Sequence, residues 1–171
     1  MTTQCRQNYH EECEAAINKQ INMELNASYA YLVLATHFDR DDVALKKVHE
    51  QFLHESHEER THAEKFIEYQ NKRGGRCVFH DLPRPKVDAV KNVTEAYEVA
   101  LQMEKDVNQS LLEIVAIAEK HHDYHLAHFV TDYFLEEQID TIKQFADNVT
   151  NAKRSGDGLG EYLMDKLHFK D

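Results

Sequence analysis

The sequence has few of the residues that interrupt helices. It contains 5 Gly and 2 Pro among 171 residues, and all of them lie within residues 74–85 or 156–160. An all-β sandwich needs turn residues roughly every 8 to 12 positions, so this distribution excludes that architecture. The remaining stretches are long and uninterrupted. We therefore expect long helices within a single domain that spans residues 1–171.

Long apolar runs and positive charge are also scarce. No segment approaches the roughly 18 residues of a transmembrane helix, and the polar first 14 residues lack the apolar stretch of a signal peptide. The 3 cysteines are odd in number and lack zinc-motif spacing, which favours free thiols in a cytoplasmic protein. Lys and Arg number 20 against 31 Asp and Glu, a net charge of −11. This charge disfavours nucleic acid and membranes as partners and favours cations.

Apolar residues recur at steps of three and four in four stretches, at about residues 11–39, 45–73, 92–121 and 125–154. This period predicts four amphipathic helices, each on the order of 40 Å long. Short connections join the first pair and the last pair, so each pair is predicted to form an antiparallel hairpin. About 18 residues connect the two hairpins, enough to cross a helical bundle.

A short amphipathic segment follows the last glycines. It covers about residues 159–168 and carries Leu159, Leu163 and Leu167 at steps of four. Because so short a helix is unstable alone, we expect it to dock on another surface. The predicted fold is therefore all-α: a four-helix bundle with a long crossover between helices two and three and a short fifth C-terminal helix.

Polar residues interrupt the apolar stripes near the midpoint of each predicted helix. They are Glu24, Glu59, His62, Glu104 and Gln138. Midpoints of antiparallel helices share one layer, so these side chains are predicted to meet in the core. Buried ionised carboxylates are costly without a counter-charge, and a bound cation removes that cost. A single polar residue on an apolar stripe usually has a structural role, but polar residues at the same height on four helices favour a metal site.

The spacing of the ligand-type residues indicates which metal. Glu59 and His62 lie one helical turn apart and suit a single ion. Carboxylates with few nitrogen ligands favour iron or manganese, although zinc could compete. Di-iron bundles carry two Glu-x-x-His pairs, whereas the fourth helix here offers Gln138 and Thr141, so one of two metals is expected to be held weakly.

Two further residues lie on the same stripes, close to this layer. Tyr31 follows Glu24 by seven residues and is expected in the core, with its hydroxyl close to the metals. Glu55 lies one turn from Glu59, and the sequence leaves open whether it is an accessory carboxylate or a polar contact near a loop.

Ordered segments along almost the whole chain resemble the ferritin family, and in particular its heavy, iron-oxidising type of subunit. They are RQNY at 6–9, AAIN at 15–18, FDRDDVAL at 38–45, HEER at 57–60, QNKRGG at 70–75, NQSLL at 108–112 and EYL at 161–163. The resemblance implies a cytoplasmic 24-subunit cage, built from this chain alone or mixed with other ferritin subunits. Such a cage oxidises Fe(II) with dioxygen at a site for two irons in each subunit and stores the ferric mineral. The implied site consists of Glu24, Glu59, His62 and Glu104, with Gln138 as a weak ligand and Tyr31 beside them.

The chain also departs from the family pattern. The family has two acids in its iron-access channel where this chain has His128 and Thr131. Iron access is therefore expected to be slower, to depend on pH, or to use Asp132 or nearby histidines. The sequence leaves open whether the cluster of His121, His122, His125 and His128 binds metal or is only a polar helix-turn region. Of the acids that start mineral growth in the family, the chain keeps Glu58 and Glu64, and Thr61 replaces a third.

Two other functions compete with this interpretation. One is a cage subunit that binds metal but oxidises little iron, because the access route is impaired. The other is a soluble di-iron enzyme with an organic substrate, which would be expected to keep the second Glu-x-x-His pair. Particle size and the rate of iron oxidation distinguish the three.

Overall fold

A computed structural model describes residues 3–87 and 89–167 of the chain. Its helices are α1 Glu11–Phe38, α2 Lys46–Lys72, α3 Val93–Lys120, α4 Tyr124–Val130, α5 Glu136–Ser155 and α6 Leu159–Leu167. No β-strand occurs in these described ranges, which confirms the all-α prediction. Within the same ranges, no helix has both the length and the apolar character to cross a membrane.

The helices form two hairpins that pack into a four-helix bundle. Helix α1 packs along α2, α3 packs against α4 and α5, and contacts between α1 and α3 join the hairpins. The fourth predicted helix differs from a regular α-helix, because the π-helical segment Thr131–Leu135 lies between α4 and α5. Its presence was not predicted, since steps of three and four residues were assigned to a single α-helix.

The crossover between α2 and α3 lies along α1. The Asn18 side chain donates to the Arg76 carbonyl at 2.9 Å and accepts from the Val78 amide at 3.0 Å. One turn later, Asn22 donates to the Val78 carbonyl at 2.8 Å and accepts from the His80 amide at 2.9 Å. Two asparagine side chains thus satisfy backbone groups of a segment that has no strand partner.

The core consists of two apolar clusters. One surrounds Tyr31, Phe52, Tyr97 and Phe145, and the other surrounds Ile17, Phe66, Leu111 and Phe134. Between them lie the buried polar residues Gln20, Glu24, Ser56, Glu59, His62, Glu104, Ser110 and Gln138. The bundle therefore has apolar packing towards both ends and a polar layer at mid-height.

Helix α6 docks on the bundle through an acid. Asp165 is fully buried, and its Oδ1 accepts hydrogen bonds from the amides of Lys47 at 2.7 Å and Val48 at 3.1 Å. These amides begin α2, whose own N-cap residue, Leu45, makes no side-chain cap bond. The tail thus supplies the cap that the local sequence of α2 lacks.

A second acid of α6 has the same role at another helix. Glu161 Oε1 accepts from the Val93 amide, the first of α3, at 2.8 Å. The predicted leucine stripe faces the other way, because Leu159, Leu163 and Leu167 are all exposed in the single chain. Their predicted docking surface is therefore not within this subunit.

Candidate metal centre

Three buried ligand-type side chains from the first hairpin meet in the polar layer. Glu24 of α1 and Glu59 and His62 of α2 are 0%, 4% and 8% exposed. Their ligand atoms lie within 4.8 Å of one another. Within the described part of the chain, Glu24 Oε2, Glu59 Oε2 and His62 Nε2 make no hydrogen bond. Unsatisfied buried polar atoms are rare and costly, and one cation would satisfy all three, so the donor set fits a metal ion.

The two carboxyl groups of this trio perturb each other. Burial raises the pKa of Glu24 well above its ordinary value, and the charge of Glu59 raises it further. Burial is also the main cause of the raised pKa of Glu59, about 8. Near neutral pH the metal-free pair therefore retains protons, which a divalent cation would displace.

Two further buried residues fix the orientation of Glu24. Gln20 Nε2 donates to Glu24 Oε1 at 2.7 Å, and Gln20 Oε1 accepts from Ser110 Oγ at 2.6 Å. Gln20 thus engages Oε1 of Glu24 and leaves Oε2 without a partner among the described residues. The sequence analysis missed both residues. The i, i+4 spacing of Gln20 and Glu24 was the available signal for the first, and none identified Ser110.

Glu104 faces the layer from the second hairpin. The Tyr31 hydroxyl donates to its Oε1 and the Gln138 amide to its Oε2, and Gln138 also donates to the Glu104 carbonyl at 3.0 Å. Burial raises the pKa of Glu104, although the two donors oppose the rise. Burial and the Glu104 charge likewise raise the pKa of Tyr31. Each carboxylate oxygen keeps a second lone pair, so Glu104 can bind a metal while it accepts these hydrogen bonds.

A cavity of about 190 Å³ opens between α2 and α5 beside this layer. Glu55 lines it, and burial, followed by the charge of Glu104, raises the pKa of Glu55 to about 7. Glu58, His62 and Glu137 form a second group whose ligand atoms lie within 4.8 Å of one another. His62 Nε2 is 3.5 Å from Glu137 Oε1. The sequence analysis missed Glu137, because a partly exposed carboxylate beside Gln138 gives no periodic signal.

The residues predicted for iron access lie on the surface of the α4 region. His128 Nε2 is 3.0 Å from Asp132 Oδ2, and their side chains are 77% and 49% exposed. Both line a separate cavity of about 410 Å³. Thr131 is exposed at the start of the π-helical segment. Glu64, predicted for mineral growth, is exposed and pairs with Arg60 at 3.1 Å.

The four histidines expected to form one cluster face different neighbours. These neighbours are Glu12 for His121, Tyr124 for His122, Tyr69 for His125 and Asp132 for His128. His121 and His122 precede α4, whereas His125 and His128 lie on it and both line the cavity of about 410 Å³. Only His121 belongs to a group of metal-ligand geometry in the described residues.

Comparison with known proteins assigns the family. Residues 14–155 match the family model of the ferritin-like domain. The chain is 56% identical over 164 residues to the soma ferritin of Lymnaea stagnalis, which covers 96% of this chain and 94% of the relative. It is 53% identical over 162 residues to the ferritin-1 heavy chain of Schistosoma mansoni, and the match covers 95% of this chain and 94% of the relative. It is 52% identical over 174 residues to the middle subunit of ferritin from Aquarana catesbeiana, and the match covers 100% of this chain and 99% of the relative. As the sequence segments indicated, the chain belongs to the ferritin family.

Proposed function

We propose that this chain is a ferroxidase-type subunit of an iron store. It oxidises Fe(II) to Fe(III) with dioxygen in the polar layer, and the ferric product is stored inside a 24-subunit cytoplasmic cage of this chain alone or with other ferritin subunits. The observation that carries the proposal is the trio of Glu24, Glu59 and His62, whose buried ligand atoms lack hydrogen-bond partners within the described residues. Membership of the ferritin family supports iron as the ion.

Two Fe(II) ions are the substrates, and each ligand has a distinct task. Glu24 and His62 hold one ion, Glu104 holds the other, and Glu59 lies between them as a bridge. Gln138 is a neutral amide, so it binds the second ion more weakly than a carboxylate would. A weakly held second ion suits turnover, because the product has to leave the site.

The chemistry is a two-electron transfer. Each Fe(II) loses one electron, and one dioxygen molecule gains both together with two protons to give hydrogen peroxide. Carboxylate ligands stabilise Fe(III) more than Fe(II), since the attraction between ion and ligand grows with the charge of the ion. The layer therefore favours oxidation, and the loss of a proton from the Glu24 and Glu59 pair on metal binding makes these ligands more negative.

The open side of the cavity supplies a route for the product. Glu58 and Glu137 share His62 with the buried trio but are more exposed. Ferric ions that leave the layer meet these carboxylates next. Glu58 was predicted to take part in mineral growth, and its position beside His62 supports a role close to the site of oxidation.

The rate of iron oxidation tests the proposal. Fe(II) is mixed with the assembled, metal-free protein in air, and the ferric absorbance is followed. The wild type should oxidise iron rapidly, and the double variant Glu24→Ala, His62→Ala should be slower by roughly 10- to 100-fold or more.

A matched control removes one carboxylate and one imidazole from the surface. His57 and Glu113 are exposed, so the variant His57→Ala, Glu113→Ala should keep the wild-type rate. Equal rates in the wild type and the Glu24, His62 variant would contradict the proposal. Wild-type oxidation no faster than in buffer would instead indicate a cage subunit without oxidase activity, and a small particle in gel filtration would contradict the cage.

A further inference from the structure

A third group of ligand-type side chains lies away from the polar layer. His10, Glu12 and His121 have ligand atoms within 4.8 Å of one another. We infer that they form a surface site for a transition-metal ion of the Zn²⁺ class, which joins the start of α1 to the end of α3. The proposed ferroxidase function does not use these residues.

The three side chains are close together, but one imidazole ring must turn before both can bind one ion, because the in-plane lone pairs of stacked rings run parallel. The imidazole rings of His10 and His121 are stacked, with centroids 3.5 Å apart and planes at 9°. Glu12 Oε2 lies 3.1 Å from His121 Nε2. This ring nitrogen is shielded from solvent, yet it makes no well-aligned hydrogen bond in the described part of the chain. An ion between the nitrogen and the carboxylate would satisfy both.

The backbone holds the three residues in place. His10 is the N-cap of α1, Glu12 lies in the first turn of α1, and His121 is the C-cap of α3. Each ligand is therefore anchored at a helix end, so little ordering of the backbone is needed when a metal binds. Preorganisation of this kind reduces the entropic cost of binding.

The donor set selects the class of metal. Two imidazole nitrogens and one carboxylate suit Zn²⁺, Cu²⁺ or Ni²⁺, whereas Ca²⁺ and Mg²⁺ prefer oxygen ligands. Zinc ligands lie about 2.0–2.2 Å from the ion, so two tetrahedral ligand atoms lie about 3.4 Å apart. Glu12 Oε2 and His121 Nε2, at 3.1 Å, are already this close, and it is the His10 nitrogen that has to move towards them. His10 is exposed, so its side chain can make this movement, and water completes the coordination.

Two existing interactions oppose binding. Lys120 Nζ lies 2.7 Å from Glu12 Oε2, and a bound cation would displace it. His10 Nδ1 accepts from the Glu12 amide at 3.1 Å, and this bond is lost whichever ring nitrogen binds the metal. The amide is exposed, so water replaces the bond. Lys120 and His121 keep the pKa of Glu12 near 2, so its carboxylate is ionised at neutral pH.

Zinc titration tests the site on the assembled, chelator-treated protein. Calorimetry should show that His121→Gln binds about one Zn²⁺ per chain fewer than the wild type. His122→Gln is the matched control, since it removes the adjacent histidine, which lies outside the group, and it should bind as the wild type does. Unchanged stoichiometry in His121→Gln, or an equal loss in His122→Gln, would overturn the inference.

A second measurement needs no variant. Wild-type crystals soaked in Zn²⁺ and measured at the zinc absorption edge should show an anomalous peak between His10, Glu12 and His121. Absence of a peak there would overturn the inference, whatever is bound in the polar layer. This experiment also decides the question if His121→Gln fails to assemble.

Discussion

Replacing Glu59 by glutamine should stabilise the metal-free protein above neutral pH. Burial raises the pKa of Glu59 from 4.5 to about 8. A carboxyl group with a raised pKa binds its proton more tightly in the folded chain than in the unfolded chain. The free energy of unfolding therefore falls as the pH rises from about 4.5 to 8, and this loss is absent when residue 59 cannot ionise.

The magnitude follows from the same pKa. One pKa unit corresponds to about 1.4 kcal/mol, so a single group of this kind lowers the free energy of unfolding at pH 7.5 by about 4 kcal/mol. Glutamine keeps the cost of burying a polar amide, which reduces the expected gain to about 2–3 kcal/mol. For a chain of this length that gain raises the unfolding temperature by about 4 to 12 °C.

Calorimetry of chelator-treated protein at pH 5.5 and 7.5 measures the effect. The unfolding temperature of the wild type should fall between these values more than that of Glu59→Gln. Glu113→Gln, which alters an exposed carboxylate, should change the free energy of unfolding by less than about 0.5 kcal/mol. If Glu59→Gln unfolds at the same temperature as this control at pH 7.5, or at a lower one, the reasoning is refuted. Zinc should then stabilise the wild type more than Glu59→Gln, in which the His10, Glu12 and His121 group is unchanged.

Three other substitutions test the scaffold. Asp123→Ala leaves the Arg73 guanidinium, now held at 2.8 and 2.9 Å, without its carboxylate, and should cost about 3–5 kcal/mol in denaturant unfolding; a cost below 1 kcal/mol would contradict the role of the pair. Asp165→Ala removes the cap of α2 and should cost about 1–2 kcal/mol, with faster proteolysis near Gly156, and unchanged digestion would contradict this docking. Phe52→Ala should cost about 3–5 kcal/mol, since Phe52 is fully buried; a cost typical of a surface site would show that the cluster is loosely packed.

The sequence predicts the helices well because burial of one helix face is periodic. Ile17, Tyr97 and Phe145 lie on predicted stripes, and all three are fully buried. The path of the crossover does not follow from such a pattern. It depends on hydrogen bonds from Asn18 and Asn22 to backbone groups more than 50 residues away. The sequence does not distinguish these two residues from other asparagines on a helix surface.

The residues of the polar layer can be predicted from the sequence for the same reason. Polar residues on an apolar stripe stand out, so Glu24, Glu59 and Glu104 were identified by position alone. Glu137 does not interrupt a stripe, and only the fold of the chain brings its Oε1 within 3.5 Å of His62 Nε2.

Proximity in sequence does not identify the neighbours of His121. His121 lies near three other histidines along the chain, but its neighbours in space are His10 and Glu12, more than 100 residues away. A turn between two helices sends nearby side chains in different directions, so spacing along the chain predicts a cluster only within one helix.

Because of the π-helical segment Thr131–Leu135, the fourth long helix cannot lose even one residue there without changing which side chains face the core. From Val130 through Phe134 to Gln138 the buried positions advance 8 residues in two turns, whereas two α-helical turns take about 7. The wider turn takes up the additional residue, as π-bulges do. Deleting one residue from this segment would allow a regular α-helix but would rotate everything after it by about 100°. Gln138 would then leave the polar layer, so a one-residue deletion here should be more damaging than the loss of several residues from a surface loop.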